Sequence, residues 1–560
     1  MKPLPLVSLL FTCIITPSIG VGQTFPTFDE VDYVTVQDFG VFQDIWDKAE
    51  TQNVRIALFG DSQETSPGGH GAVFIPALNY EFYQHFGKVG ESFVAPGIGS
   101  YGGGTPAAEW LLQGTPGRYA GTSTGTLSSS QLLPGTTSWI FTSAALGQNT
   151  LLNTENTNLN DNSFLTSADP LWDSTNEVTA TIFGVTREGS DEFSWATSPT
   201  NGNSSFFLPK LLTGTTSMGL DAPAGQILSQ DTEVLPFNGM TRQQLIVKGT
   251  GENGAELLGV RFNNLSVPGG VSIQDFAVGG YRTNFFLENH ADAGPMLSAF
   301  GPWDAILIHT AANDAYAALG DSAIVYQSNV LDFIEAVRSP DWLDNPDQKF
   351  ILVTDPYRHE GPEDKNFQFD QYAGAIAELA LNDPNVMAVN SRRLTQELGW
   401  VGDNSSLYLR DVVHYSSEGA KLLARVEAQL ILNGGLIGDF DNDNDVDLDD
   451  IDFYVGNLGS PAQFGFAQLD LNSDAQITLD DFELHVTTFV RTNNGQTGTF
   501  IGDLNLNGTV DVLGDALTLI GNLGNPATSY GQGDLNLDGT VDVLDDAFTL
   551  IAMLGSTNEP

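Results

Sequence analysis

Hydrophobic residues fall into three regimes along the chain. In the first, largely apolar runs at 54–59 and 305–310 end in turns of small or polar residues, as strands buried on both faces of a parallel sheet do. Helical periodicity follows the first run, with Phe74, Ala77, Leu78 and Phe82 on one face of a segment ending at Phe86. Another apolar helix is predicted over 418–431, and the runs at 257–263 and 271–277 predict two further strands of the parallel sheet. The second regime, 102–254, is rich in Ser, Thr, Asn and Gly and carries only short β-branched runs, at 139–142, 177–185 and 244–248. Short strands with frequent turn signals predict a β-sandwich inserted into an α/β domain. The third regime, from Gly438 onward, repeats one acidic pattern four times, each copy followed by a helical apolar face such as Leu517, Ile520 and Leu523.

The first residues set the compartment. Met1-Lys2 precedes an apolar stretch over 4–19 and the small residues Ser18, Gly20 and Gly22, a pattern that predicts a signal peptide over 1–22 and a secreted protein. Cys13 lies inside that stretch and is the only cysteine, so stability must come from packing and metal rather than disulfides. No later run approaches the roughly 20 apolar residues that a membrane helix requires. The expected organisation is an α/β domain in two parts, 23–101 and 255–433, around an insert at 102–254, then four repeats over 438–560.

Charge narrows the partners. The 560 residues hold 70 acidic and 21 basic side chains, a formal net charge of −49, which argues against nucleic acid and anionic membranes. From Gly438 on, Arg491 is the only lysine or arginine.

Three islands carry candidate chemistry: Gly60-Asp61-Ser62, Asn313-Asp314 and Asp411-Val412-Val413-His414. The first two follow predicted strands, where ligands of open α/β sheets bind. A serine hydroxyl needs a base before it attacks an ester carbonyl, and the imidazole of His414 is suited to the task. Asp411 can fix the tautomer of that ring and steady the imidazolium. The backbone N–H of Ser62, a glycine N–H and the Asn313 amide are candidate oxyanion donors. No cofactor is called for in catalysis. Arg282 and Arg358 follow strand-end turns and are candidates to meet an acidic glycan, His70 and Glu64 are candidate pocket residues, and His309 reads as a satisfied core histidine.

The islands and their order resemble the SGNH (GDSL-like) hydrolase superfamily. Ser62 matches its nucleophile, Gly280 within 275–281 its second block, Ala311-Ala312-Asn313-Asp314 its Gly-x-Asn-Asp block with alanine for glycine, and Asp411 to His414 its Asp-x-x-His block. The resemblance implies a three-layer α/β/α, flavodoxin-like domain, a Ser62–His414–Asp411 triad with Gly280 and Asn313 in the oxyanion hole, and ester hydrolysis. The layout is also similar to bacterial glycan O-acetylesterases with a β-sandwich between the first two blocks, through Leu258-Gly259-Val260-Arg261-Phe262, Pro268-Gly269-Gly270-Val271 and 275–280. That likeness implies removal of O-acyl groups, acetyl above all, from a polysaccharide. Two alternatives stay open: a glycan O-acyltransferase using the same triad, and a non-catalytic surface or scaffold protein.

The tail places oxygen side chains at the spacing of EF-hand loops. Positions one, three, five and seven are Asp439, Asp441, Asp443 and Asp445 in the first repeat, and Asp470, Asn472, Asp474 and Gln476 in the second. The third repeat offers Asp503, Asn505 and Asn507, and the fourth Asp534, Asn536 and Asp538. Asp450, Asp481 and Asp545 occupy position twelve, where the third repeat has Gly514 with Asp515 one residue later. The repeats start 31 to 33 residues apart and predict an all-α module that binds structural Ca2+. They resemble dockerin type I repeats, which implies a cohesin-like or cell-surface partner.

Overall fold

A computed structural model describes residues 25–61, 74–94, 138–142, 177–199, 212–249, 256–277, 282–309, 312–356, 363–397, 415–434, 446–460, 469–490 and 498–557, apart from short gaps within these spans, together with Gly438. The strands in chain order are β1 (Val34–Thr35), β2 (Val54–Gly60), β3 (Glu91–Val94), β4 (Ser138–Thr142), β5 (Val178–Val185), β6 (Phe193–Pro199) and β7 (Leu212–Thr215). They continue with β8 (Ile227–Asp231), β9 (Gln243–Gly249), β10 (Glu256–Asn264), β11 (Val271–Asp275), β12 (Ala305–His309), β13 (Lys349–Val353) and β14 (Val386–Val389).

Six strands form a central sheet in the order β1-β14-β13-β12-β2-β11, parallel except for the short edge strand β1. β2 and β12 are buried along nearly their whole length, as largely apolar central strands require. Helices cover both faces. On one lie α1 (Gly40–Ala49), α2 (Phe74–Phe86) and, later in the chain, the helix Ser417–Asn433, packed around Trp46, Leu78 and Leu423. On the other lie Ala323–Arg338 and Glu363–Asn382, packed around Phe333 and Ile376. From β2 the chain passes to β11 on one side and then to β12 on the other, so the order reverses at the carboxyl end of β2. Such a switch point opens a crevice between diverging connections.

The residues between β2 and β11 build two four-stranded antiparallel sheets, β3-β10-β5-β8 and β4-β9-β6-β7. Both contribute to one core that includes Ala180, Ile182, Phe193, Val247, Val260 and Phe262. Here the structure corrects the expectation for 257–263. β10 does not return to the parallel sheet but pairs antiparallel with β3 and β5, and only β11 rejoins β2. The physical reason is its alternation: Val260 and Phe262 point into the shared core, while Arg261 between them points away to meet Glu91 at 2.9 Å. Antiparallel pairing therefore extends beyond 102–254 at both ends, to β3 and β10.

In the tail, Val446, Ile477, Val510 and Val541, one from each repeat, are buried in a single core. Leu471 and Phe489 of the second repeat join the core on the α1/α2 face of the central sheet. Among the described residues no helix is long and apolar enough to cross a membrane.

Candidate active site

Parallel register brings the first two islands to one edge. Gly60 lies opposite His309, and Asp275 opposite Leu58, so the segments after β2, β12 and β11 leave the sheet side by side. Ser62, Gly280, Asp411 and His414 lie outside the described residues, as do His70, Glu64 and Arg358; Asp61 before Ser62 and Tyr415 after His414 are described. Asp61 is buried, and its Oδ2 accepts a hydrogen bond from Asn313 Nδ2 at 3.1 Å. Asn313 sits in the helical turn α3 (Ala312–Tyr316) and is half-buried. An amide NH2 carries two donors, so one can serve Asp61 while the other faces the crevice.

Asp314 points elsewhere. It is fully buried, and its carboxylate accepts the Thr283 backbone N–H at 3.3 Å and the Thr283 Oγ1 hydroxyl at 3.3 Å. Burial pushes its carboxyl up to about 7 against the lowering effect of the Thr283 bonds, with Asp321 pushing further up and Arg282 down. Arg282, a candidate for glycan contact, leans over the Phe285 ring, with Nη1 3.9 Å from Asp321 Oδ1.

The flanks of the first and last islands also meet. Phe74 opens α2, downstream of Ser62, and its ring centroid lies 6.1 Å from that of Tyr415, the residue after His414. Ser416 then caps the helix Ser417–Asn433 by accepting the Gly419 N–H at 3.0 Å. His309 is buried at the end of β12, 5.3 Å from Phe74 ring to ring, with Nε2 3.8 Å from Glu427 Oε1. Glu427, which the apolar pattern of its helix concealed, accepts the Ser391 hydroxyl at 2.7 Å, and burial raises its carboxyl well above the usual range.

The tail holds a second set of candidate sites. Asp439, Asp441, Asp443, Asp445, Asp470, Asn472 and Asp474 lie outside the described residues, and Gln476 is exposed. In the third repeat Asp503 accepts the N–H groups of Asn507 at 3.1 Å and Gly508 at 2.8 Å; in the fourth Asp534 accepts those of Asp538 at 3.1 Å and Gly539 at 2.9 Å. Asn505 and Asn536 Oδ1 turn inward on the same N–H groups. The carboxylates at the loop ends are bonded in two ways. Asp450 and Asp481 are buried, and accept the N–H three residues before them at 2.9 and 2.8 Å. In the later repeats that bond comes from four residues before: Asp515 accepts Asp511 N–H at 2.7 Å, and Asp546, not the exposed Asp545, accepts Asp542 N–H at 2.8 Å. One extra residue has been absorbed in a π-helical turn, marked by the bonds from Ala516 N to Asp511 O and from Ala547 N to Asp542 O, each 3.1 Å. Gly514 therefore leaves no gap in the third loop. Asp545 instead approaches Asp538 and Asp542, whose carboxylate oxygens converge within 4.8 Å on the outer rim. Asp515 and Asp546 are buried in equivalent positions.

These loops fit a hard cation. Their side-chain donors are oxygens, their inner carboxylates are buried, and no lysine, arginine or histidine follows Arg491.

No protein-family model matches the chain, and no curated protein matches it. Solved structures do. The chain is similar to a peptidoglycan O-acetylesterase at 13% identity, covering 72% of this chain and 98% of that one, with a TM-score of 0.44. It is similar to a family two carbohydrate esterase from Clostridium thermocellum, solved with cellohexaose, at 12% identity over 46% of this chain and 90% of that one, TM-score 0.23. A lipase/acylhydrolase from Enterococcus faecalis is similar at 19% identity over 30% of this chain and 77% of that one, TM-score 0.23.

Proposed function

We propose that the chain is a secreted serine esterase that removes short O-acyl groups, acetyl in particular, from a polysaccharide. Ser62 attacks the ester carbonyl, His414 takes the hydroxyl proton and returns it to the departing sugar oxygen, and Asp411 orients His414. The N–H groups of Ser62 and Gly280 and the amide of Asn313 hold the oxyanion. Water then releases the acyl group by the same route. The observation that carries this reading is the Asn313–Asp61 bond, which ties the candidate oxyanion donor to the residue preceding the candidate nucleophile. Acetate release from a panel of acetylated polysaccharides by the wild type and its loss in Ser62→Ala test it. Transfer of acetyl to an added sugar in preference to water would replace hydrolase by acyltransferase, and turnover surviving in Ser62→Ala would refute the mechanism.

In the same proposal Ca2+ is structural, held in the last two repeats by Asp503, Asn505, Asn507 and Asp515 and by Asp534, Asn536, Asp538 and Asp546. The tail is the attachment module. Its last two repeats expose matching apolar residues, Val512 and Val543, Leu513 and Leu544, Leu517 and Phe548, Ile520 and Ile551, on a surface without a basic side chain. A cohesin-like protein with an apolar face rimmed by lysine or arginine is the complementary partner.

A further inference from the structure

Asn313 and Asp314 are consecutive, yet their side chains serve different segments. Successive residues of a helical turn project about 100° apart, so one turn can reach two neighbours. Asn313 reaches back to β2 through Asp61. Asp314 reaches the segment after β11 through Thr283, three residues beyond Gly280. We propose that Asp314 is a positioning residue, which through Thr283 fixes the segment after β11 relative to Asn313; this rests on the esterase reading above, which assigns an oxyanion donor to that segment.

The construction around Asp314 is rigid. Its own carbonyl accepts the Asp321 N–H at 2.9 Å, and the Asp321 carbonyl accepts the Tyr372 hydroxyl at 2.7 Å. Tyr372 in turn stacks on Tyr326, ring centroids 4.2 Å apart. Thr283, by contrast, lies in a turn just before the single helical turn Phe285–Glu288. Both Thr283 and Asp314 are essentially sealed from solvent. A buried carboxylate binding one backbone N–H and one hydroxyl is a costly way to pin a loop when an apolar contact would serve. Its benefit is direction: two donors on one residue fix the path of the backbone where packing alone leaves it free to slide. Oxyanion donors lose their effect within a fraction of an ångström of misplacement, so such a pin acts on the chemical step more than on ground-state binding.

The test measures kcat and KM on a small acetyl ester for wild type, Asp314→Ala, Asp314→Asn, Thr283→Ala and the double alanine variant, with the melting temperature of each. Asp314→Ala is expected to lower kcat at least tenfold with KM within about twofold. Asp314→Asn keeps an acceptor oxygen and the shape, and is expected to restore kcat to within about threefold. The double variant should be no slower than Asp314→Ala, because Asp314 acts through Thr283. Folded Asp314→Ala with kcat within twofold of wild type would overturn the proposal, as would single losses that multiply. If Asp314→Ala fails to fold, Asp314→Asn and Thr283→Ala decide: a loss in the second without one in the first supports the proposal, and equal rates in both overturn it. Turnover unaffected by Ser62→Ala would instead refute the esterase reading, and this inference with it.

Discussion

Deleting the Asn313 side chain is the sharpest probe of the candidate oxyanion hole. The Asp61 carboxylate occupies one of its amide hydrogens at 3.1 Å, which fixes the direction of the other. Asn313→Ala removes a donor preorganised for the charge that develops on the carbonyl oxygen, worth about 3 kcal/mol of barrier, or roughly 100-fold in kcat. Little ground-state binding should be lost, because a neutral carbonyl gains less from that donor than an oxyanion does. Asp61→Asn replaces a charged acceptor with a neutral one, which weakens the orienting bond by about 1 kcal/mol and predicts a roughly fivefold loss. Steady-state hydrolysis of a small acetyl ester, with melting temperatures as a check on folding, separates the cases. Because Asp61 acts through Asn313, the double variant should match Asn313→Ala alone. A folded Asn313→Ala enzyme within threefold of wild-type kcat would show that Asn313 faces no developing charge, and two effects that multiply would show that Asp61 does not act through Asn313.

Other consequences follow from burial and charge. The Asp314 carboxyl, raised from 3.8 to about 7, binds its proton more tightly in the folded chain. Its contribution to stability is complete below about pH 4 and is lost as pH rises to about 7, by up to about 4 kcal/mol. Asp314→Asn should therefore raise the melting temperature at pH 8 and leave it unchanged near pH 4, and an equal shift at both would contradict the assignment. His485 is buried, with Nε2 3.2 Å from Gly438 O and a pKa lowered to about 3 by burial, so its neutral form stabilises the tail above about pH 6.5 and that contribution fades as pH falls toward 3. His485→Gln should flatten the acid limb of thermal unfolding. Added Ca2+ should raise the melting temperature of the full chain in a concentration-dependent way, and Asp515→Asn or Asp546→Asn should blunt that rise more than Asp545→Asn does. Calorimetry showing Asp545→Asn as the most damaging of the three would favour the outer cluster with Asp538 and Asp542. Leu513→Asp with Leu544→Asp should abolish capture by a cohesin-like partner at unchanged esterase rate; capture that survives would place the docking face elsewhere.

Much of this molecule was written locally. β2 and β12 are largely apolar because both faces of each are covered, and no context was needed to recognise them. The run at 257–263 misled because it reads like β2: each carries one arginine that meets Glu91, and only the strands they pair with tell them apart. Glu91 is far from Arg261 in sequence. The repeats were legible as repeats, and Asp515 stood out one residue late, but the same offset at Asp546 was hidden by Asp545. Counting positions assumes α-helical geometry, and the π-helical turns at Val512–Ala516 and Val543–Ala547 change the count.

The amino-acid sequence alone was enough for the residue types, their order, the surplus of acid and the regular placement of oxygen side chains, because those are properties of the chain itself. Which neighbours they meet was decided only by folding. The pairing of β2 with β12 sends Asn313 to Asp61, and the rejoining of β11 hands Thr283 to Asp314. The physical reason is that hydrogen bonds between segments 31 and 252 positions apart depend on sheet register and helix direction. No local pattern of residues encodes either.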